Sequence, residues 1–187
     1  MDLAALLPVI QSASDVGSAV AHRLKRAGLH PVMLESPEPT ATRRRMAFAG
    51  AMFTGAATLE GIRGVRCPDA DAALSLRLAP DTVPILAMPT FAPPAGWALD
   101  VLVDARMRKK QQPPGQRDRA AFVVGIGPGF VAGDQAHVVI ESNWGDHLGD
   151  VIHTGGTEAY TGKHKRIEGF GRERYLYAPA GGTFHTT

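Results

Sequence analysis

The chain is predicted to fold as an α/β domain, with a Rossmann-like N-terminal βαβ sheet continued by a β-rich C-terminal part. Three observations lead there. Two short apolar runs, Leu6 to Gln11 and Pro31 to Leu34, flank a stretch of helical periodicity. Further buried-type strands read at Val83 to Met88 and Trp97 to Val103. Glycines then accumulate, four of them in the nine residues Gly125 to Gly133, and the sequence beyond stays turn-rich. A length of 187 residues at 44% apolar content is ample for a packed core. The polar segment Gln111 to Arg119, with Pro113, Pro114 and Gly115, reads as a linker or mobile loop. It divides a Rossmann-like part (1–112) from a part with the glycine-rich loop and most of the late strands (113–187), packed as one globular unit.

In chain order, the first strand enters a helix in which Val16, Ala19, Val20 and Leu24 recur at helical spacing, and a basic last turn and Gly28 end it. The second strand stops at Glu35. Set on a dinucleotide fingerprint, the three glycine positions hold Ser12, Ser14 and Gly17, and Glu35 falls about 20 residues on, where a carboxylate accepts from a ribose hydroxyl. A serine β-carbon obstructs close pyrophosphate approach, yet its hydroxyl caps a helix or donates to phosphate. The alternative is a βαβ unit in which Ser14 or Asp15 simply caps the helix.

The segment TATRRRMAFAGAMFTG reads as a second helix, with Thr40 or Thr42 as its cap and Ala41, Met46, Ala49 and Phe53 apolar. Arg43, Arg44 and Arg45 either solvate one end of it or stand beside a phosphate. Thr58 to Arg66 reads as extended and Pro68 to Leu78 as a short Ala-rich helix. The run VDARMRKK ends a strand on Asp104 and Arg106, where ligands collect in open α/β sheets; a salt bridge from Asp104 to Arg106 or a neighbouring base is the competing reading.

In the loop GIGPGFVAG, Gly125, Gly127, Gly129 and Gly133 suit a tight turn at a strand end, and successive amides there form an anion-binding nest. Pro128 has no amide, so the donors are those of Ile126, Gly127, Gly129 and Phe130. A glycine-rich connection without a ligand is the other reading. No GxxxxGK[ST] occurs, which excludes an ordinary P-loop. His137 to Glu141 alternates as a strand with His137, Val139 and Glu141 on one face; with His147 and His153 it shows no recognised ligand spacing, so no metal is expected. Leu148 to His153 and part of RYLYAP read as late strands.

Net charge is only +2, but 15 arginines stand against 5 lysines and cluster at 43–45, 106–108 and 117–119. Arginine clusters favour flat anions. With 6% aromatics, none interleaved with these clusters, a single-stranded nucleic-acid platform is disfavoured and a phosphate-bearing small molecule fits better. The single cysteine, Cys67, allows neither an internal disulfide nor a CxxC site. No apolar run approaches the ~18 residues of a membrane span, and the opening segment lacks a basic n-region. A cytoplasmic protein without nucleic-acid or membrane partners is expected, a homo-oligomer being left open.

Taken together, SDVGSAVAHRLKRAG, TRRRMAFAGAMFTG, LVDARMRKK, VVGIGPGFVAG, HVVIESNWGDHLGDVI, and YTG followed by RYLYAP resemble the selenium-dependent molybdenum hydroxylase system proteins, relatives of the xanthine dehydrogenase accessory factors. The resemblance is divergent. Ser12 and Ser14 replace glycines, Trp144 stands at a usually basic position and Tyr160 at a usual asparagine, and the chain ends before the family's small carrier-like β domain. It implies an accessory role in maturing a molybdenum hydroxylase, whose own machinery is the partner, by holding a molybdopterin-type cofactor or a nucleotide. The positions carried over are Asp15, Gly17, Arg43, Arg44, Asp104, Arg106, Gly125, Gly127, Gly129, Glu141 and Asn143. An NAD(P)-dependent oxidoreductase, drawing on Glu35, and a non-catalytic partner or scaffold subunit that lost the ligand site are the competing functions.

Overall fold

The computed structural model describes residues 3–41, 43–109, 111, 113–163 and 166–182. In chain order it forms β1 (Pro8–Gln11), α1 (Asp15–Arg26), β2 (Val32–Glu35), α2 (Ala51–Thr54), β3 (Ala56–Leu59), β4 (Ile62–Cys67), α3 (Ala70–Leu76), β5 (Thr82–Ala87), β6 (Val101–Asp104), β7 (Phe122–Ile126), β8 (Val131–Ala132), β9 (Val138–Ile140), β10 (Val151–Ile152) and β11 (Gly155–Gly156). Nine strands make one sheet in the order β10-β9-β7-β6-β1-β2-β5-β4-β3, and β8 pairs with β11 apart from it. The seven inner strands are parallel; the edge strands β3 and β10 run antiparallel to their neighbours. This is a Rossmann-like α/β fold. The sheet runs on through β7, β9 and β10, so both sides of the 112/113 boundary contribute to it.

Parallel strands are buried on both faces and therefore read as continuous apolar runs. Side chains still alternate along each strand. Ile10, Met33, Ile85 and Val103 join the layer that packs on α1, whereas Val9, Leu34, Leu86, Leu102 and Val139 join the layer that contains Ala73 of α3. Each such fully buried aliphatic side chain contributes about 1.5–3 kcal/mol. β1 has β2 on one side and β6 on the other, so the chain leaves the centre of the sheet in opposite directions. That switch point opens a crevice at the carboxyl ends of β1 and β6.

Three local expectations need correction. The predicted helix through 40–55 breaks into turns at Arg44–Met46 and Phe48–Gly50 before the four-residue α2. Ala47 is extended there (φ −148°, ψ 144°) because the Phe48 amide donates to Ser18 Oγ (2.8 Å) and the Ala49 amide to the Ala13 carbonyl (2.8 Å), pulling a buried Phe48 against the start of α1. Of its two expected caps, Thr42 lies outside the described residues. The extended stretch 58–66 is a hairpin, turned at Glu60 and Gly61 with φ 44° and 85°, the positive pair of a tight two-residue turn. In the tail, 172–174 is a 3₁₀ turn and 175–177 carries no strand; the last residues, after 182, lie outside the described residues.

Candidate functional site

Five parallel strands end on candidate residues along one edge of the sheet: Glu35 on β2, Gln11 and Ser12 on β1, Asp104 on β6, Ile126 and Gly127 on β7, and Glu141 after β9. They divide into three groups.

On the α1 side, the turn after β1 keeps the backbone of a glycine fingerprint while changing its residues. Ser12 stands at φ 98°, a conformation that suits glycine. Gly17 is required by close approach, since a Cβ there would meet the Ser12 carbonyl oxygen at 2.1 Å. The strained serine is held by its own hydroxyl, which contacts Ser14 Oγ at 2.8 Å, accepts from the Ser14 amide at 3.1 Å and donates to Glu35 at 3.3 Å. Glu35, 3% exposed, accepts the amides of Ala13 and Ser36, both at 2.6 Å. Its oxygens thus close the turn rather than face a ribose. Ser14 takes the N-cap position of α1 without a side-chain capping bond, and Asp15 in the first turn pairs with Arg43 at 2.9 Å on the surface. Arg44 lies over the Phe53 ring at 4.2 Å.

On the other side of β1, a buried polar network fills the switch-point crevice. Asp104, 1% exposed, receives a two-pronged contact from Arg106, Nε to Oδ1 at 2.9 Å and Nη2 to Oδ2 at 2.5 Å, and the Arg106 amide adds 3.2 Å. Gln116 Nε2 donates to Asp104 Oδ2 at 2.9 Å and to Gln11 Oε1 at 3.0 Å, while Gln11 Nε2 donates to Gln116 Oε1 at 2.8 Å and to the Phe91 carbonyl at 2.9 Å. The Arg106 guanidinium sits 5.4 Å from the Phe91 ring centroid. The salt bridge weighed for Asp104 is therefore present, inside a larger array. Beyond it, Met107, Arg108, Lys109, Gln111 and Tyr160 line a groove of about 370 Å³. Arg108 approaches Asp104 Oδ2 only to 3.9 Å with its side chain 20% exposed. Burial first, and the like charge of Arg106 second, pull its guanidinium below the ordinary arginine value. Asp104 faces Arg106 and Arg108, Lys109 lies over the Tyr160 ring at 5.7 Å, and the charged side chains of the described groove lining, Arg108 and Lys109, are both positive.

The third group is the glycine loop. Gly125 has no room for a Cβ, which would stand 2.4 Å from Phe130 Cδ1; Phe130 packs in the layer away from α1. Phe130 and Arg43 therefore do not share a cleft. Among the amides expected to form a nest, that of Gly127 donates to the Ile140 carbonyl (3.2 Å) and that of Phe130 to Thr157 Oγ1 (3.1 Å), whose hydroxyl in turn donates to the Gly127 carbonyl (2.7 Å). Gly127 and Gly129 adopt φ 110° and 82°, and a Cβ on Gly127 would meet Met107 Sδ at 2.8 Å. The Gly127 and Phe130 amides are thus taken up within the protein, and the loop buttresses the groove through Met107. Glu141 is likewise occupied: it accepts the amides of Ser142 (2.7 Å), Asn143 (2.6 Å) and Glu158 (2.7 Å), and Asn143 Nδ2 donates to Glu158.

Gln11, Gln116 and Lys109 were not singled out from the sequence, whereas Arg108 belonged to the arginine cluster 106–108 and Tyr160 stood out only as a departure from the resembling pattern. Gln11 carried a signal, a polar residue closing an otherwise apolar strand. Gln116 carried none, because the stretch Gln111 to Arg119 has the composition of a linker while its central side chain is 3% exposed. Among the described residues no group of three His, Cys, Asp or Glu stands together as a metal site, and no helix is long and apolar enough to cross a membrane. Cys67 lines a separate apolar groove between β4 and α3, and burial raises its thiol above the usual cysteine value.

No protein-family model matches the chain, and no solved structure does. The chain is similar to the Uncharacterized protein YqeB of Escherichia coli strain K12, with 38% identity over an alignment 187 positions long that covers 94% of this chain and 32% of that protein. It thus spans about a third of the length of the curated relative it matches.

Proposed function

We propose that this protein is an accessory factor in the maturation of a molybdenum hydroxylase, holding a phosphate-bearing pterin or nucleotide at the carboxyl edge of its sheet. One observation carries the reading: beside the β1/β6 switch point, Arg108 and Lys109 line a groove whose described lining holds no carboxylate, and the one acid near Arg108, Asp104 at 3.9 Å, is already engaged by Arg106. A guanidinium whose protonated form is disfavoured by burial and by a neighbouring cation gains from an anion brought to it. The groove's Tyr160 and Met107 supply apolar and aromatic surface for the rest of such a molecule, and the resemblance drawn from the sequence motifs supplies the biological setting.

Ligands selective for the folded state stabilise by mass action, about 2.7 kcal/mol at a hundredfold excess over Kd. For a chain of this size that corresponds to roughly 5–10 °C in Tm. Pterin or purine nucleotides near millimolar concentration are expected to raise the Tm, and Arg108→Ala to remove most of the rise. Native mass spectrometry of freshly purified protein provides a second readout. Absence of any shift with any of these ligands, together with no retained mass, would sink the proposal.

The βαβ turn gives a dinucleotide reading one specific support, the glycine-like backbone at Ser12 and Gly17. Against it stands Glu35, whose oxygens hold the turn's own amides. NADH fluorescence on titration separates the two: a saturable change favours an oxidoreductase.

A further inference from the structure

The buried array at the switch point has a donor and acceptor order that matches one class of heterocycle. With Gln116 set aside, the remaining groups present a donor, Gln11 Nε2; an acceptor, Gln11 Oε1; and a second acceptor, Asp104 Oδ2. Gln116 answers with its carbonyl oxygen on the first and its amide nitrogen shared between the other two, at 2.8, 3.0 and 2.9 Å. The complementary edge is acceptor, donor, donor. That is the edge of a ring carrying a carbonyl, an adjacent ring N–H and an exocyclic amine, as in guanine and in pterins. Cytosine offers a ring lone pair where a donor is needed, and adenine has an amine where the carbonyl belongs.

We propose that Gln11 and Asp104 form the ring-recognition subsite of this protein, specific for a 2-amino-4-oxo pyrimidine edge of guanine or pterin type, and that the Gln116 carboxamide occupies it as an internal stand-in until such a ring displaces it. The proposal deepens the anion-site reading and rests on it for the phosphate end. The two ends adjoin, because Asp104 Oδ2 lies 3.9 Å from Arg108 Nη1 and Arg108 opens into the cationic groove. Asp104 is held by the Arg106 fork, which keeps the acceptor aimed. The stand-in comes from the Pro113–Pro114–Gly115 stretch, fastened nearby through the Gln116 amide to the Gln135 carbonyl (3.1 Å) and Arg117 to the Gly133 carbonyl (2.9 Å). A ring that replaces Gln116 restores each hydrogen bond, so exchange leaves no buried polar atom unpaired. Occupancy by Gln116 lowers the apparent affinity of the wild type in proportion to the closed fraction.

The test uses the full chain and ligands without phosphate: pterin and guanosine, with adenosine and cytidine as controls. Gln116→Ala is expected to bind pterin and guanosine at least ~10-fold more tightly than wild type, with the controls unchanged, and Asp104→Ala in the same background to erase the preference. Equal binding of all four, or of none, overturns the proposal. Should Gln116→Ala not fold, the wild type decides by NMR: millimolar guanosine is expected to move the Gln116 side-chain amide resonances and adenosine to leave them, and no difference between the two overturns it. Tripolyphosphate separates this subsite from the groove. Its Arg108-dependent binding without ring selectivity overturns the ring subsite alone, whereas ring selectivity without tripolyphosphate binding overturns the anion groove alone.

Discussion

The two sides of β1 meet the same sheet edge with the same resource, a buried carboxylate at a strand end, and use it differently. On the α1 side, Glu35 is spent on backbone amides that belong to the turn itself. On the β6 side, Asp104 is met chiefly by side chains, Arg106 and Gln116, the second of which arrives from a distant loop. A backbone amide cannot leave its carboxylate without refolding the turn, but a side-chain amide exchanges by rotation and loop movement. Charge follows the same division. Asp15 and Arg43 balance each other at the start of α1, while Arg108 and Lys109 outnumber Asp104 at the groove. The first side therefore builds a scaffold, and the second has the properties of a site.

The largest expected effect is on the scaffold. Gly17→Ala drives a Cβ into the Ser12 carbonyl at 2.1 Å, and because the obstacle is backbone it should destabilise by about 3 kcal/mol or more, read as the urea midpoint. A cost below about 1 kcal/mol would mean that the turn yields easily and that the two sides differ less than their contacts imply. Next comes Glu35→Gln, which leaves one of two buried amides facing an NH₂ group. A loss of about 1–3 kcal/mol is expected, with tripolyphosphate affinity unchanged in the folded protein. Arg108→Ala should invert that pattern: stability within about 0.5 kcal/mol of wild type, but tripolyphosphate affinity down about tenfold by calorimetry. The smallest effect belongs to Arg43→Ala. Its ion pair with Asp15 is exposed, so about 0.2–1 kcal/mol is expected at low salt and almost nothing at 1 M.

Much of the fold was legible because apolar runs and their breaks are local. The strand, turn, helix, strand order at the start, the helix end before Gly28 and the strand ending on Asp104 all follow from composition within a few residues. The predicted helix through 40–55 failed where distant groups redirected the backbone. Ser18 Oγ and the Ala13 carbonyl draw Phe48 and Ala49 out of a helix that their own propensities favour. The site was half legible for the same reason. Asp104 and Arg106 stand two residues apart and announce their pairing, whereas Gln11 and Gln116 are separated by 105 residues and meet only in the folded chain.

The sequence by itself determined that a parallel sheet would form and that acidic and basic residues would gather at its carboxyl edge, because both depend on side-chain type at fixed strand positions. The tertiary structure alone decided which of those groups are consumed. Glu35, Glu141 and the amides of Gly127 and Phe130 find partners inside the protein, and Arg108 finds an open groove. The physical reason is that hydrogen-bond capacity is a property of a residue, but its satisfaction is a property of the neighbours that folding brings within about 3 Å.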